Sequence, residues 1–60
     1  MPNETMKELA TAELLKENPS ANVAELIWLD YDIVEQSDYL PFCIVMGTLS
    51  GEPVSVQLAS

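Results

Sequence analysis

The chain has 60 residues, with ten acidic residues against two lysines and no histidine, which gives a formal net charge of −8. Its hydrophobic share of 48% is too high for a disordered acidic tail, so we expect a folded domain. A chain of this length forms one domain at most and buries only about 60% of its unfolded surface. The negative charge argues against direct binding to nucleic acid or an anionic membrane and favours a basic partner.

The sequence carries none of the usual marks of secretion. Cys43 is the single cysteine, so no intrachain disulfide can form. The N-terminus lacks the basic and apolar regions of a signal peptide, and no apolar run reaches the roughly 20 residues that span a bilayer. These features predict a cytoplasmic protein.

The side chains that most enzymes need are missing. Without histidine, a serine or cysteine nucleophile lacks its usual general base, and Cys43 in an apolar strand is expected to be an inert thiol. One cysteine and no histidine cannot supply a zinc site. We therefore predict no catalytic activity, no metal and no cofactor.

The first predicted element is a helix from about Glu4 to Glu17, because the best helix-forming residues fill nearly every position. Asn3 is a candidate N-cap, and Thr5 with Glu8 is the alternative capping box. Asn18 is expected to end the helix in a left-handed conformation. An apolar stripe at helical spacing marks the face for packing: Met6, Leu9, Ala10 and Leu14.

The helix also places Glu13 and Glu17 on one face, four residues apart. Like charges at this spacing cost a few tenths of a kcal/mol, so local helix stability does not explain them. Two interpretations stay open. The pair either contributes to a binding surface, or belongs to a solvated acidic face on which Lys16 partly compensates Glu13.

A strand is predicted from about Val23 to Val34, where β-branched and aromatic residues dominate. Alternation at period two puts four large apolar or aromatic side chains on one face: Ile27, Leu29, Tyr31 and Ile33. The other face carries two carboxylates beside a tryptophan: Leu26, Trp28, Asp30, Asp32 and Val34.

Two further strands follow. Residues 36–38 form the predicted turn, and a second strand runs from Tyr39 or Leu40 to Leu49. Ser50-Gly51 is a two-residue hairpin signal, and the third strand covers Pro53 to Leu58. The predicted fold is α+β, with one N-terminal helix packed on a three-stranded antiparallel β-meander.

The hairpin predicts which side chains share a face. It pairs Gly47 with Val54, Val45 with Val56, and Cys43 with Leu58, all on the face that the helix should cover. The more economical register of the first strand adds Ile27 and Leu29 to that face, although turn length leaves the opposite assignment open. The open face then combines apolar side chains with carboxylates, as partner or dimer surfaces do: Trp28, Asp30, Asp32, Ile44 and Met46.

Carboxylates about 6.6 Å apart on a strand, or about 6 Å apart on a helix, resemble the spacing of phosphates along nucleic acid. The chain is therefore predicted to occupy a basic groove that normally receives DNA. The leading contacts are expected on one strand and its turn: Asp30, Asp32, Glu35 and Asp38. Trp28 or Tyr39 is the expected apolar anchor, and Glu13 and Glu17 add charge from the helix.

In size, acidity and layout the chain resembles the phage-encoded inhibitors of bacterial defence, the anti-CRISPR and anti-restriction DNA mimics, with the small type I anti-CRISPRs closest in size. The resemblance implies that the protein binds a type I CRISPR surveillance complex in the host cytoplasm and blocks the access of that complex to target DNA. The apolar second strand departs from the most charged mimics, and leaves room for a hydrophobic anchor or a homodimer.

The alternative is a small homo-oligomeric structural or antitoxin-like protein. It would pair with itself or with a toxin through Phe42, Ile44 and Met46, and its acids would only confer solubility. The two functions differ in their response to salt. Binding to a basic partner weakens with ionic strength, whereas apolar pairing holds or strengthens.

Overall fold

The computed structural model describes residues 1–36 and 39–59. Helix α1 (Glu4–Glu17) is followed by a 3₁₀ turn (Val23–Glu25) and by three strands, β1 (Leu26–Gln36), β2 (Tyr39–Leu49) and β3 (Glu52–Ala59). The strands form one antiparallel sheet in the order β1-β2-β3. The predicted α+β fold is confirmed. The 3₁₀ turn takes the residues that were expected to begin the first strand.

Helix α1 begins where its cap predicts. The Asn3 side chain accepts a hydrogen bond from the Met6 backbone N–H at 2.8 Å, so Asn3 is the N-cap. The prediction of a left-handed Asn18 is wrong, since its φ is −141°. Its N–H instead donates to the Leu14 carbonyl, and its own carbonyl accepts from Ala21, so the chain turns without a left-handed residue.

The β2–β3 hairpin has the predicted register. Gly47 lies opposite Val54, and Val45 lies opposite Val56. Ser50 and Gly51 both have positive φ, at 51° and 82°, as the central residues of the tightest hairpin turns require. The hairpin fixes which side chains of β2 face α1.

The register of β1 against β2 contains a bulge at Leu29. Trp28 lies opposite Gly47, but the next pair is Asp30 with Met46, so Leu29 has no partner on β2. The extra residue shifts the alternation of side chains by one. The faces predicted from period-two alternation therefore hold after the bulge, for residues 30–34, and are reversed before it, for residues 26–28.

Two predictions about β1 were wrong because of the bulge. Trp28 was expected on the open face but is only 6% exposed and belongs to the core beneath α1. Ile27 was expected under the helix but lies on the opposite face, beside Thr48, and is 57% exposed. Asp30 and Asp32 lie on the open face with Met46 and Ile44, as predicted.

The core lies between α1 and the sheet. Its buried side chains are Ala10, Leu14, Trp28 and Val45. Trp28 Nε1–H donates to Thr11 Oγ1 at 3.0 Å, and the Thr11 hydroxyl donates to the Lys7 carbonyl at 2.7 Å. The indole is thus buried with its N–H paired, which avoids the cost of an unsatisfied donor.

Gly47 allows the backbones of β1 and β2 to come unusually close beside the bulge. A Cβ at this position would collide with the Ile27 backbone carbonyl and lie 2.9 Å from the Trp28 Cα. Only glycine permits this approach of two backbones. A side chain at position 47 would therefore displace the backbone of β1 at Ile27 and Trp28.

The described part of the chain has no helix with the length and apolar character needed to cross a membrane.

Candidate functional site

The candidate site is the open face, the side of the sheet turned away from α1. Its rows are set by the register: Ile27 with Thr48, Asp30 with Met46, Asp32 with Ile44, and Val34 with Phe42. The side chains of the central strand are half-buried by the strands on both sides. The face thus has an apolar centre and a carboxylate border on β1.

Asp30 and Asp32 are the two carboxylates of this border, and both are exposed. Residues two apart on a strand lie about 6.6 Å apart and point the same way. Asp30 Oδ1 accepts a hydrogen bond from the Tyr31 backbone N–H at 2.8 Å, which holds that carboxylate against its own strand. Among the described residues, the two ion pairs, Lys7–Glu4 and Lys16–Glu13, lie on α1 and leave both aspartates without a cation.

The other side of β1 is also uncovered beyond the bulge. α1 packs across β3 and β2. Tyr31 is 39% exposed and Ile33 is 59% exposed, although both share a face with the buried Val45. Residues 30–35 of β1, called the β1 edge below, therefore expose carboxylates on one face and apolar side chains on the other.

Three other predicted contacts lie near this strand in the sequence: Glu35, Asp38 and Tyr39. Glu35 is exposed and lies in a second irregularity of the register, between Val34 and Gln36. Asp38 lies outside the described residues. Tyr39 begins β2 opposite Gln36, but its side chain lies outside the described part of the structure.

Glu13 and Glu17 lie elsewhere. They line a groove between the C-terminal half of α1 and β3, together with Ser55, Val56 and Gln57. Glu13 accepts a hydrogen bond from Lys16 at 3.1 Å. Since β1 and β3 are the two opposite edges of the sheet, these glutamates do not belong to the surface formed by Asp30 and Asp32.

Trp28 is not part of the candidate contact surface. It was predicted as an apolar anchor beside the aspartates, but it packs with Leu14 and bonds to Thr11. The exposed apolar side chains near the aspartates are instead Ile27, Leu29, Tyr31 and Ile33. The more economical register assigned Ile27 and Leu29 to the covered face because alternation alone gives no sign of a bulge. Tyr31 and Ile33 do lie on the face of Val45 and are exposed because α1 does not extend over them.

The site can bind a partner through its carboxylates and through apolar contact. Carboxylate oxygens accept hydrogen bonds from arginine and lysine, and the neighbouring apolar side chains offer area to bury. No group of three or more metal-ligating side chains comes together within residues 1–36 and 39–59. Cys43 is a free, half-buried thiol on the face that α1 covers.

Comparisons with protein-family models, with curated proteins and with solved structures found no match to this chain.

Proposed function

We propose that this protein is a non-enzymatic inhibitor that docks through the open face on the basic groove of a nucleic-acid-binding protein and blocks access of the nucleic acid. The observation that carries the proposal is the register of β1 on β2. It places Asp30 beside Met46 and Asp32 beside Ile44, so each carboxylate lies next to an apolar side chain.

The charge of the whole molecule supports a basic partner. A formal charge of −8 on 60 residues creates a field that attracts a cationic groove and repels DNA. All acids apart from Asp38 are described, and none of them is buried. The field is therefore presented to the partner rather than neutralised inside the fold.

The apolar centre supplies what the acids alone do not. An exposed ion pair contributes a median of about 0–1 kcal/mol, so two aspartates cannot hold a partner tightly. Binding energy concentrates in a few desolvated apolar and aromatic anchors. Ile27, Ile44 and Met46 lie on the same face as the aspartates and supply that anchor in place of Trp28.

The partner class proposed first is a type I CRISPR surveillance complex, in line with the resemblance to small DNA-mimic inhibitors of bacterial defence. Its DNA-binding channel is the basic groove that this surface would occupy. The proposal places the protein in the cytoplasm of the host cell.

The test is inhibition of target-DNA binding by a purified type I surveillance complex, measured by electrophoretic mobility shift. The parent protein is expected to prevent the shift, more weakly as salt rises, because exposed charges are screened. The variant Asp30→Lys with Asp32→Lys is expected to stay folded and to lose most of the inhibition.

The matched control is Glu8→Lys with Glu52→Lys. It changes the net charge by the same amount at exposed positions away from the open face, on α1 and at the hairpin. It is expected to retain more inhibition than the variant at positions 30 and 32. Equal inhibition by the parent and both variants would remove the open face as the contact.

Self-association, the alternative function, has weaker support. Phe42, Ile44 and Met46 are half-exposed and offer the same apolar area to a second copy as to a basic partner. A second copy docked on the same face would, however, bring aspartates near aspartates, and like charges oppose such pairing. A dimer that strengthens with salt would favour this alternative.

A further inference from the structure

The outer side of β1 is a strand edge of a kind that small proteins usually protect. β1 pairs with β2 on one side, and no described strand pairs with the other. It has 11 residues and contains neither proline nor lysine, two common edge-protecting residues. Register irregularities fall at Leu29 and at Glu35, so the regular pairing between them spans residues 30–34. The β1 edge, residues 30–35, is thus a template for one more strand. Its Tyr31 N–H bonds to Asp30 Oδ1 and would exchange that partner for an added strand if it points outward.

The side chains of this edge specify what such a strand would carry. Asp30 and Asp32 point to one face, and Tyr31 and Ile33 point to the other, each exposed. Residues directly opposite each other on neighbouring strands share a face. A complementary strand therefore has lysine or arginine opposite the aspartates and apolar residues opposite Tyr31 and Ile33.

A second copy of this chain fits the edge poorly. Two copies of β1 related by a two-fold axis pair antiparallel, with equivalent faces together. Centred on Asp30 or Asp32, the pairing puts that aspartate opposite itself, and centred on Tyr31 it puts Asp30 opposite Asp32. Like charges directly opposite each other destabilise a strand pair. The carboxylates thus disfavour self-pairing in the registers centred on residues 30–32, whereas a register centred on Ile33 places Asp32 opposite Val34.

We propose that the β1 edge binds an extended segment of its partner in which basic and apolar residues alternate, adding it to the sheet as a fourth strand. Main-chain hydrogen bonds would provide affinity, and the alternating side chains would provide specificity. This inference deepens the proposed function, because it rests on a basic partner and names the part of that partner which is recognised.

The test uses fluorescent seven-residue peptides of lysine and valine with capped ends, measured by anisotropy at low ionic strength. One peptide alternates the two residues, and a second of identical composition has all the lysines before all the valines. The alternating peptide is expected to bind at least about tenfold more tightly, the equivalent of about 1.4 kcal/mol. Equal affinities would overturn the proposal, since charge alone does not depend on residue order.

Backbone N-methylation separates strand addition from side-chain contact. One version of the alternating peptide is methylated on the lysine amides, and another on the valine amides. In a strand, alternate amides point to opposite edges. The version whose methyl groups point toward β1 is expected to lose the tighter binding of the alternating peptide, and the other version is expected to keep it. Equal binding by both versions and the parent peptide would overturn strand addition.

The outcome is independent of the inhibition assay. If the surveillance complex is inhibited but peptide order and methylation have no effect, the proposed function stands and strand addition fails. If the peptides discriminate as expected but DNA binding is never blocked, the edge site stands and the proposed inhibitor function fails.

Discussion

The two halves of β1 differ in what covers them. Trp28, before the bulge, is buried under α1 and bonded to Thr11, whereas Tyr31 and Ile33, after it, face solvent on the same side of the sheet. One helix of 14 residues covers β2 and β3 but does not extend over the far half of β1. The difference indicates that the first half stabilises the fold and the second is available for a partner.

The largest expected effect comes from removing a side chain of the covered region. Leu14→Ala leaves a cavity beside Trp28 and is expected to lower the free energy of unfolding by about 2–5 kcal/mol. A domain of this size rarely has more than about 3–5 kcal/mol in total, so much of the variant should be unfolded. Urea denaturation followed by circular dichroism measures the loss.

Leu9→Ala is the matched control, since it makes the same change on the same helix at a side chain that is 53% exposed. It is expected to cost far less. If the two variants lost the same stability, the covered region would not be the source of the fold's stability.

The sequence predicts α1 and the β2–β3 hairpin better than it predicts β1. Helix propensity and the Asn3 cap located α1 correctly, and Ser50-Gly51 fixed the β2–β3 register pair by pair. Leu29, the bulged residue, has no local signal, because a leucine in phase with Ile27 and Tyr31 fits an ordinary strand. The bulge lies beside the close approach of Gly47 to Ile27 and Trp28, a contact between residues 19 and 20 positions apart in the chain, which local pattern does not reveal.

The candidate site was predicted in part for the same reason. Asp30 and Asp32 lie beyond the bulge, where the strand regains the phase that places them on the open face with Ile44 and Met46. Trp28 lies before the bulge, so its assignment to that face was wrong. Glu13 and Glu17 lie at the opposite edge of the sheet, a separation that depends on how α1 packs and not on local pattern.

A smaller effect is expected at the hydrogen bond that anchors the bulge. Thr11→Val preserves the shape of the side chain but leaves the buried Trp28 N–H without its acceptor, at a cost of about 1–3 kcal/mol. Thr11→Ser retains the hydroxyl and should cost less. Thermal unfolding of both variants measures the difference, and equal losses would show that the hydroxyl contributes nothing to this half of β1.

The smallest effect on stability is expected at the uncovered half. Asp30→Asn with Asp32→Asn keeps the size of both side chains and removes the charges that oppose self-pairing, so the variant should remain folded and associate. Sedimentation velocity at low ionic strength measures the change. The control, Glu8→Gln with Glu52→Gln, loses the same charge away from the β1 edge and should behave like the parent.

An Asn variant that sediments as the parent does would contradict the role given to the aspartates in protecting the edge. Association of the control to the same extent would assign the effect to net charge alone.

The most direct test of the account is amide hydrogen exchange, followed residue by residue by NMR, with and without the alternating lysine–valine peptide. Exchange is expected to slow most at alternate amides between residues 30 and 35, whereas the amides of α1 should slow only by the uniform amount that binding adds to the free energy of global unfolding. Protection confined to α1 or β3, or no change in β1 when the peptide is bound, would contradict the claim that the uncovered half of β1 is the binding surface.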